Sequence, residues 1–217
     1  MSILQELNWA EIEAHYRSRI NETKNLRNLY EAKRASEFAD LALGMTTPSG
    51  NYSASEHGLG PKIIESNPNA KGRVYSLAGK FILINEASTV PRLIREENLK
   101  YLRIGVGSEL SCMMNPTVCW VCNKRTIWLY LVQTQGLSKA NEALQLFNEH
   151  DDDSPMAYES WQDAYHPELG PELKRVAQEG AQAAMRQGVD PGDVPYLWAD
   201  AIASNAFDFY HTANGAG

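Results

Sequence analysis

The run "SILQELNWAEIEAHYRSRINETKNLRNLYEAKRASEFADLALG" (Ser2–Gly44) decides the fold class, because it contains no proline and its first glycine is its last residue. Ser2 and Gln5 have the spacing of a helix capping box. The side chains of one predicted buried face recur near the helical period, at Trp9, Ile12, Tyr16, Ile20, Thr23 and Leu26. A second phase follows at Leu29, Ala32, Ala39 and Leu43. The pattern predicts one long helix or two abutting helices, with any break near residues 21–28.

Three segments are predicted along the chain: an N-terminal helical segment (1–45), a long loop (46–72) and a helical core (73–217), most simply within one domain. The loop is rich in Gly, Pro, Ser and Asn, and a short turn of helix is predicted within it at residues 62–66. Loops longer than ~12–15 residues are uncommon in compact domains unless they have a function. We therefore predict an ordered loop that presents Tyr52 and His57 to a partner.

Helical periodicity also dominates the C-terminal half, so the sequence predicts a mainly α-helical protein. Prolines at 155 and 171 predict the starts of two separate helices there. The middle of the chain is mixed. Leu102, Ile104 and Val106 alternate with other residues, which favours a small β element.

The composition predicts a cytoplasmic protein with no membrane partner. No segment approaches the ~20 consecutive apolar residues that a membrane-spanning helix needs. The N-terminus carries acidic residues where a signal peptide has a basic start and an apolar centre. Three cysteines are an odd number, and a disulfide scaffold normally uses an even set.

The charges are unevenly distributed. Residues 127–217 hold 4 Lys/Arg and 14 Asp/Glu, whereas residues 60–126 hold 10 Lys/Arg and 5 Asp/Glu. Basic residues interleaved with tyrosines and with Gly-, Ser- and Asn-rich loops are typical of surfaces that contact phosphate. The predicted nucleic-acid-binding residues, here called the basic cluster, are Lys62, Lys71, Arg73, Arg92, Arg95, Lys100, Arg103, Lys124 and Arg125.

All three cysteines lie in "SCMMNPTVCWVCNKR" (Ser111–Arg125), with the spacing C-x6-C-x2-C. Their neighbours are mostly apolar, and free cysteine packs as a small hydrophobic residue, so the main prediction is three buried thiols. The alternative is a structural zinc site, which needs four ligands. Its ligands would be Cys112, Cys119, Cys122 and His57. Apart from zinc, no cofactor is predicted.

No motif fixes a reaction, and no catalytic residue is assigned. The loop at 49–62 contains serines beside His57, but no G-x-S-x-G elbow or phosphate-binding glycine motif occurs in the chain. We therefore predict a non-catalytic nucleic-acid-associated protein, or a subunit of a nucleoprotein complex, that contacts phosphate through the basic cluster. One alternative is a small hydrolase or nuclease that uses His57. The other is a protein–protein adaptor without nucleic-acid contact.

Overall fold

A computed structural model describes residues 3–151 and 155–213, so the predicted capping serine Ser2 lies outside the described residues. The mainly α-helical fold is confirmed. No helix among the described residues is both long and apolar enough to cross a membrane. The α-helices are α1 (Trp9–Glu31), α2 (Ala35–Ala42), α3 (Tyr52–Glu56), α4 (Leu59–Ser66), α5 (Ala70–Leu83), α6 (Val90–Glu97), α7 (Ile104–Met114), α8 (Lys124–Gln135), α9 (Leu137–Asp151), α10 (Pro155–Arg186) and α11 (Pro195–Ala213).

The chain divides into two compact units, whose boundaries differ from those of the predicted segments. The terminal unit comprises residues 1–17 and 124–217, and the central unit comprises residues 18–123. Helix α1 contributes its first residues to the terminal unit and the remainder to the central unit.

In the terminal unit, α10 packs against α8, α9 and α11. Trp9 and Trp198 are both almost fully buried, with ring centroids 5.9 Å apart. The Tyr16 ring meets Trp198 edge-on at 5.5 Å. The Tyr16 hydroxyl donates to Asp193 Oδ1 at 2.6 Å and accepts from the backbone N–H of Val194 at 3.1 Å. These contacts fix the start of α11, since the first N–H groups of a helix have no partner within it.

The core of the central unit is built by α2, α5, α6 and α7, and Leu26 of α1 belongs to the same apolar cluster. Phe38, Leu77, Phe81 and Leu110 are fully buried within one apolar cluster. Every residue of α7 is buried, including the serines and the one carboxylate, Glu109.

The first helical run ends later than predicted. Helix α1 continues through residues 21–28 and stops at Glu31, and α2 begins at Ala35. Between them Lys33 adopts a left-handed backbone conformation with φ 58°. Such a residue cannot continue a right-handed helix, so the break falls there.

Two local predictions are corrected. Residues 46–72 contain more helix than predicted, because α3 also lies within them and α4 begins before the short turn expected at 62–66. The alternation at Leu102, Ile104 and Val106 does not mark a strand. Ile104 begins α7, and no strand occurs among residues 3–151 and 155–213. All three side chains are buried, and so is Gly105, the residue between Ile104 and Val106. The alternation therefore did not reflect a strand with one exposed face and one buried face.

The two predicted C-terminal helices around Pro171 form one helix. Helix α10 includes Pro167 and Pro171 in its interior. Each proline removes a backbone hydrogen bond and usually kinks or ends a helix. Leu169 and Leu173, on either side of Pro171, are buried to 1% exposure or less, and their packing offsets this cost.

Because His166 in α10 is buried, we expect the stability of the terminal unit to depend on pH. Its ring is 1% exposed, and burial lowers its pKa from 6.5 to about 4. The unfolded chain therefore takes up a proton below pH ~6.5 that the folded chain refuses. We expect acidification from pH 7.5 to 5 to lower the free energy of unfolding by about 2 kcal/mol through this residue.

Urea unfolding of the wild type and of His166→Gln at both pH values measures this effect. The variant should lose less stability on acidification, whereas His57→Gln, at an exposed histidine, should behave as the wild type. Equal losses in the wild type and His166→Gln would contradict the assignment.

Candidate nucleic-acid interface

Lys71 and Arg73 of the basic cluster, together with Lys80, are neutralised within the central unit. Arg73 Nε lies 3.1 Å and Lys80 Nζ 2.8 Å from the two carboxylate oxygens of Glu97. The Lys71 ammonium lies 2.7 Å from Asp40. These half-buried pairs join α5 to α6 and to α2. These cations already neutralise carboxylates of the unit itself, so they are less available to bind a phosphate.

Other members of the basic cluster point to solvent. Lys62, Arg92, Arg95 and Lys100 are exposed, and Arg103 is half-buried at the start of α7. Neither Lys62 nor Lys100 forms an ion pair with any residue that the structure describes. Arg92 is paired with Glu96 at 2.5 Å on the same helix face, and both side chains are more than half exposed. Exposed pairs of this kind contribute only ~0–1 kcal/mol, so Arg92 can exchange this partner for a phosphate.

The last two members, Lys124 and Arg125, belong to the terminal unit and lie in the first turn of α8. Both approach the Phe207 ring, at 5.6 and 5.9 Å from its centroid. Arg125 also lies 3.4 Å from Asp208. The basic cluster is therefore divided between the two units.

The predicted partner loop is only partly exposed. His57 is exposed at the end of α3, whereas Tyr52 is half-buried with its ring centroid 5.4 Å from the Arg19 guanidinium. The hydroxyls beside His57 have other acceptors. Ser53 donates to Glu109 at 2.7 Å, and Ser55 donates to the backbone oxygen of Asn51 at 2.8 Å.

A buried ion pair that the sequence analysis missed explains why this segment is ordered. Arg19 Nη1 lies 2.8 Å from Glu109 Oε1, and the two side chains are 0% and 1% exposed. The carboxylate also accepts from the backbone N–H groups of Tyr52 and Ser53, at 2.7 and 3.0 Å. It thereby satisfies donors at the start of α3 that have no partner within the helix. Arg19 in turn donates to the backbone oxygen of Ser49 at 3.0 Å.

Two further features fix the same segment. The Asn51 side chain caps α3 by accepting from Ala54 N, and it donates to the backbone oxygen of Val106 in α7. Gly50 lies so close to α2 that an added Cβ would be 2.0 Å from the Leu41 backbone oxygen. Any other residue at 50 would force the segment away from α2.

The position of Arg19 was detectable in the sequence. Ile12, Tyr16, Thr23 and Leu26 form the buried face of α1, and Arg19 lies seven residues after Ile12 and seven before Leu26. That spacing places its side chain on the same face. Glu109 gave no such signal, because the residues before it were predicted to form a β element and not the start of the helix that buries it.

The cysteines are buried as predicted. All three are free thiols with 0% exposure, and Cys119 belongs to the apolar cluster of the central unit. Burial raises the pKa of Cys119 to about 12, which disfavours the thiolate that binds metals. No three His, Cys, Asp or Glu side chains among the described residues are grouped to hold a metal ion, so the structure does not bring Cys112, Cys119, Cys122 and His57 together as ligands.

The buried pair predicts a large loss of stability when one partner is removed. Glu109→Ala leaves the Arg19 guanidinium buried without its carboxylate, and we expect the central unit to lose about 3–5 kcal/mol of its free energy of unfolding. Glu96→Ala removes an exposed carboxylate from the same unit and should cost less than about 1 kcal/mol.

Urea unfolding checks both values, and the single variants Arg19→Met and Glu109→Leu together with their double variant form a double-mutant cycle. The double variant should be markedly more stable than the sum of the single losses, because no charge is left buried. Strict additivity would show that the two side chains are not coupled.

The thiols are expected to be inert in the folded protein. A rise in pKa from 9.0 to about 12 lowers the thiolate fraction of Cys119 at pH 8 by about a thousandfold. Labelling with Ellman's reagent at pH 8 should therefore be at least about a hundredfold slower in the native protein than in urea. Rapid native labelling would contradict this, and so would one tightly held zinc ion per chain in metal analysis.

Comparison with known proteins identifies no relative of this chain. No protein-family model, curated protein or solved structure matches the chain. Function is therefore inferred from the charges, contacts and burial of the chain's own residues.

Proposed function

We propose that this is a non-catalytic, cytoplasmic nucleic-acid-associated protein, or a subunit of a nucleoprotein complex, whose central unit contacts phosphate. The observation that carries the proposal is the segregation of charge between the two units. The central unit has 13 Lys/Arg and 10 Asp/Glu, whereas the terminal unit has 7 Lys/Arg and 17 Asp/Glu. A chain with a formal net charge of −7 thus contains a compact unit of +3.

The exposed members of the basic cluster support this assignment. Lys62 on α4, Arg92 and Arg95 on α6, and Lys100 after α6 all belong to the central unit and present their side chains to solvent. Lys and Arg side chains in such positions attract phosphate and release its bound counterions. Lys71, Arg73 and Lys80 form half-buried pairs with carboxylates of the unit itself, so the proposed surface consists of the exposed residues Lys62, Arg92, Arg95 and Lys100.

The terminal unit has a different role in this proposal. Its formal net charge of −10 repels nucleic acid, so it faces solvent or a basic protein of the same complex. The non-catalytic role is supported by the hydroxyls near His57, which donate to structural acceptors. The cytoplasmic location is supported by three free, buried thiols, which are typical of a reducing compartment.

Charge reversal tests the proposed surface. The triple variant Lys62→Glu, Arg92→Glu, Lys100→Glu should weaken binding to a mixture of labelled DNA and RNA oligonucleotides by about tenfold or more at low salt. The dependence of log K on log salt concentration should become shallower by about one for each phosphate that the variant no longer binds. Fluorescence anisotropy across a salt series measures both.

The control carries the same charge change in the other unit. Lys139→Glu, Lys174→Glu, Arg186→Glu also lowers the formal net charge from −7 to −13, and all three residues are exposed in the terminal unit. Its affinity should stay much closer to that of the wild type. Equal losses in both triple variants would mean that only net charge matters, and a wild type that binds no nucleic acid even at low salt would favour the protein–protein adaptor.

A further inference from the structure

The segment between α6 and α7, residues 98–103, is held so that the side chains of Lys100 and Tyr101 lie at the surface. Leu99 and Leu102 are almost fully buried and anchor it in the core of the central unit. The Asn67 amide holds the backbone between them: its Oδ1 accepts from Lys100 N at 2.8 Å, and its Nδ2 donates to Lys100 O at 3.0 Å. Asn67 is itself buried and is fixed to Ile63 O at 2.8 Å.

Tyr101 adopts a backbone conformation that is unfavourable for a bulky residue. Its φ of 69° lies in the left-handed region, which glycine adopts freely and asparagine tolerates. Asn98 in the same segment has a φ of 47° and is of a residue type that commonly adopts this conformation. Tyr101 is 37% exposed, so part of its ring lies at the surface of the central unit. A ring kept under strain at the surface points to a use outside the chain.

The charge beside the ring indicates what it contacts. The Lys100 ammonium lies over one face of the Tyr101 ring, 5.0 Å from its centroid, and has no carboxylate partner among the described residues. Aromatic side chains next to a cation bind nucleic acid by stacking on a base while the cation neutralises the adjoining phosphate.

We propose that Tyr101 is a base-stacking platform and Lys100 its phosphate contact, so that the nucleic acid bound by the central unit is single-stranded. This inference rests on the proposed function and names its substrate class. Bases within a duplex are stacked on each other and expose only their edges, whereas an unpaired base offers a free face to an aromatic ring. Asn67 is a positioning residue, because it acts on the ring through the backbone of Lys100.

The experiment compares binding of the full chain to labelled oligothymidylate, oligouridylate and a duplex, each of about 12 nucleotides or base pairs, a length within the ~4–16 nucleotides that such sites occupy. We expect the wild type to bind at least one single strand more tightly than the duplex. Tyr101→Asn keeps a residue that tolerates the left-handed region but removes the ring. It should weaken single-strand binding by about 5- to 100-fold.

Tyr101→Phe is the matched control, since it keeps the ring and should bind within about twofold of the wild type. Tyr101→Gly is a second variant without the ring. Thermal unfolding checks that both ring-less variants remain folded, since each keeps a residue that tolerates the left-handed region. If the wild type binds single strands but both ring-less variants bind equally well, or if the duplex binds as tightly, this inference fails and the proposed function stands. If no nucleic acid binds at all, both fail.

Discussion

Burying a guanidinium and a carboxylate removes both from water, at a cost of several kcal/mol per ion, and their attraction offsets this only with close geometry and further hydrogen bonds. Arg19 and Glu109 meet that condition in the central unit. The carboxylate is surrounded by the guanidinium and by N–H groups at the start of α3, and the guanidinium also holds the backbone of Ser49. One interaction thus joins α1, α7 and the segment that leads into α3.

The consequences extend along residues 46–72. A segment rich in Gly, Pro, Ser and Asn has little intrinsic tendency to fold, because it buries little apolar surface. Here its backbone is held by Arg19, Asn51 and Glu109, and Gly50 permits the close approach to α2. The end of α4 then provides Asn67, which fixes the segment carrying Lys100 and Tyr101. In this way the buried polar network supports the helices that carry the proposed binding surface.

The basic cluster shows why a count of charges overestimates a binding surface. Ten basic residues among 60–126 suggested a phosphate-binding region, yet Lys71, Arg73 and Lys80 lie against Asp40 and Glu97. These acidic partners are 17 to 31 residues away in sequence, so spacing within one helix could not reveal them. Lys62 and Lys100 differ from them only in what the folded chain places nearby.

The sequence by itself determined the helical class, the burial of the cysteines and the uneven charge, because periodicity, apolar neighbours and composition are local properties. It also contained Arg19 at the spacing of a buried face. Only the tertiary structure decided the partner of Arg19, the helices within 46–72, the continuation of α10 through its prolines and the cations left exposed. Each of these depends on contacts between residues distant in sequence, whose burial or pairing outweighs the local preference of the chain.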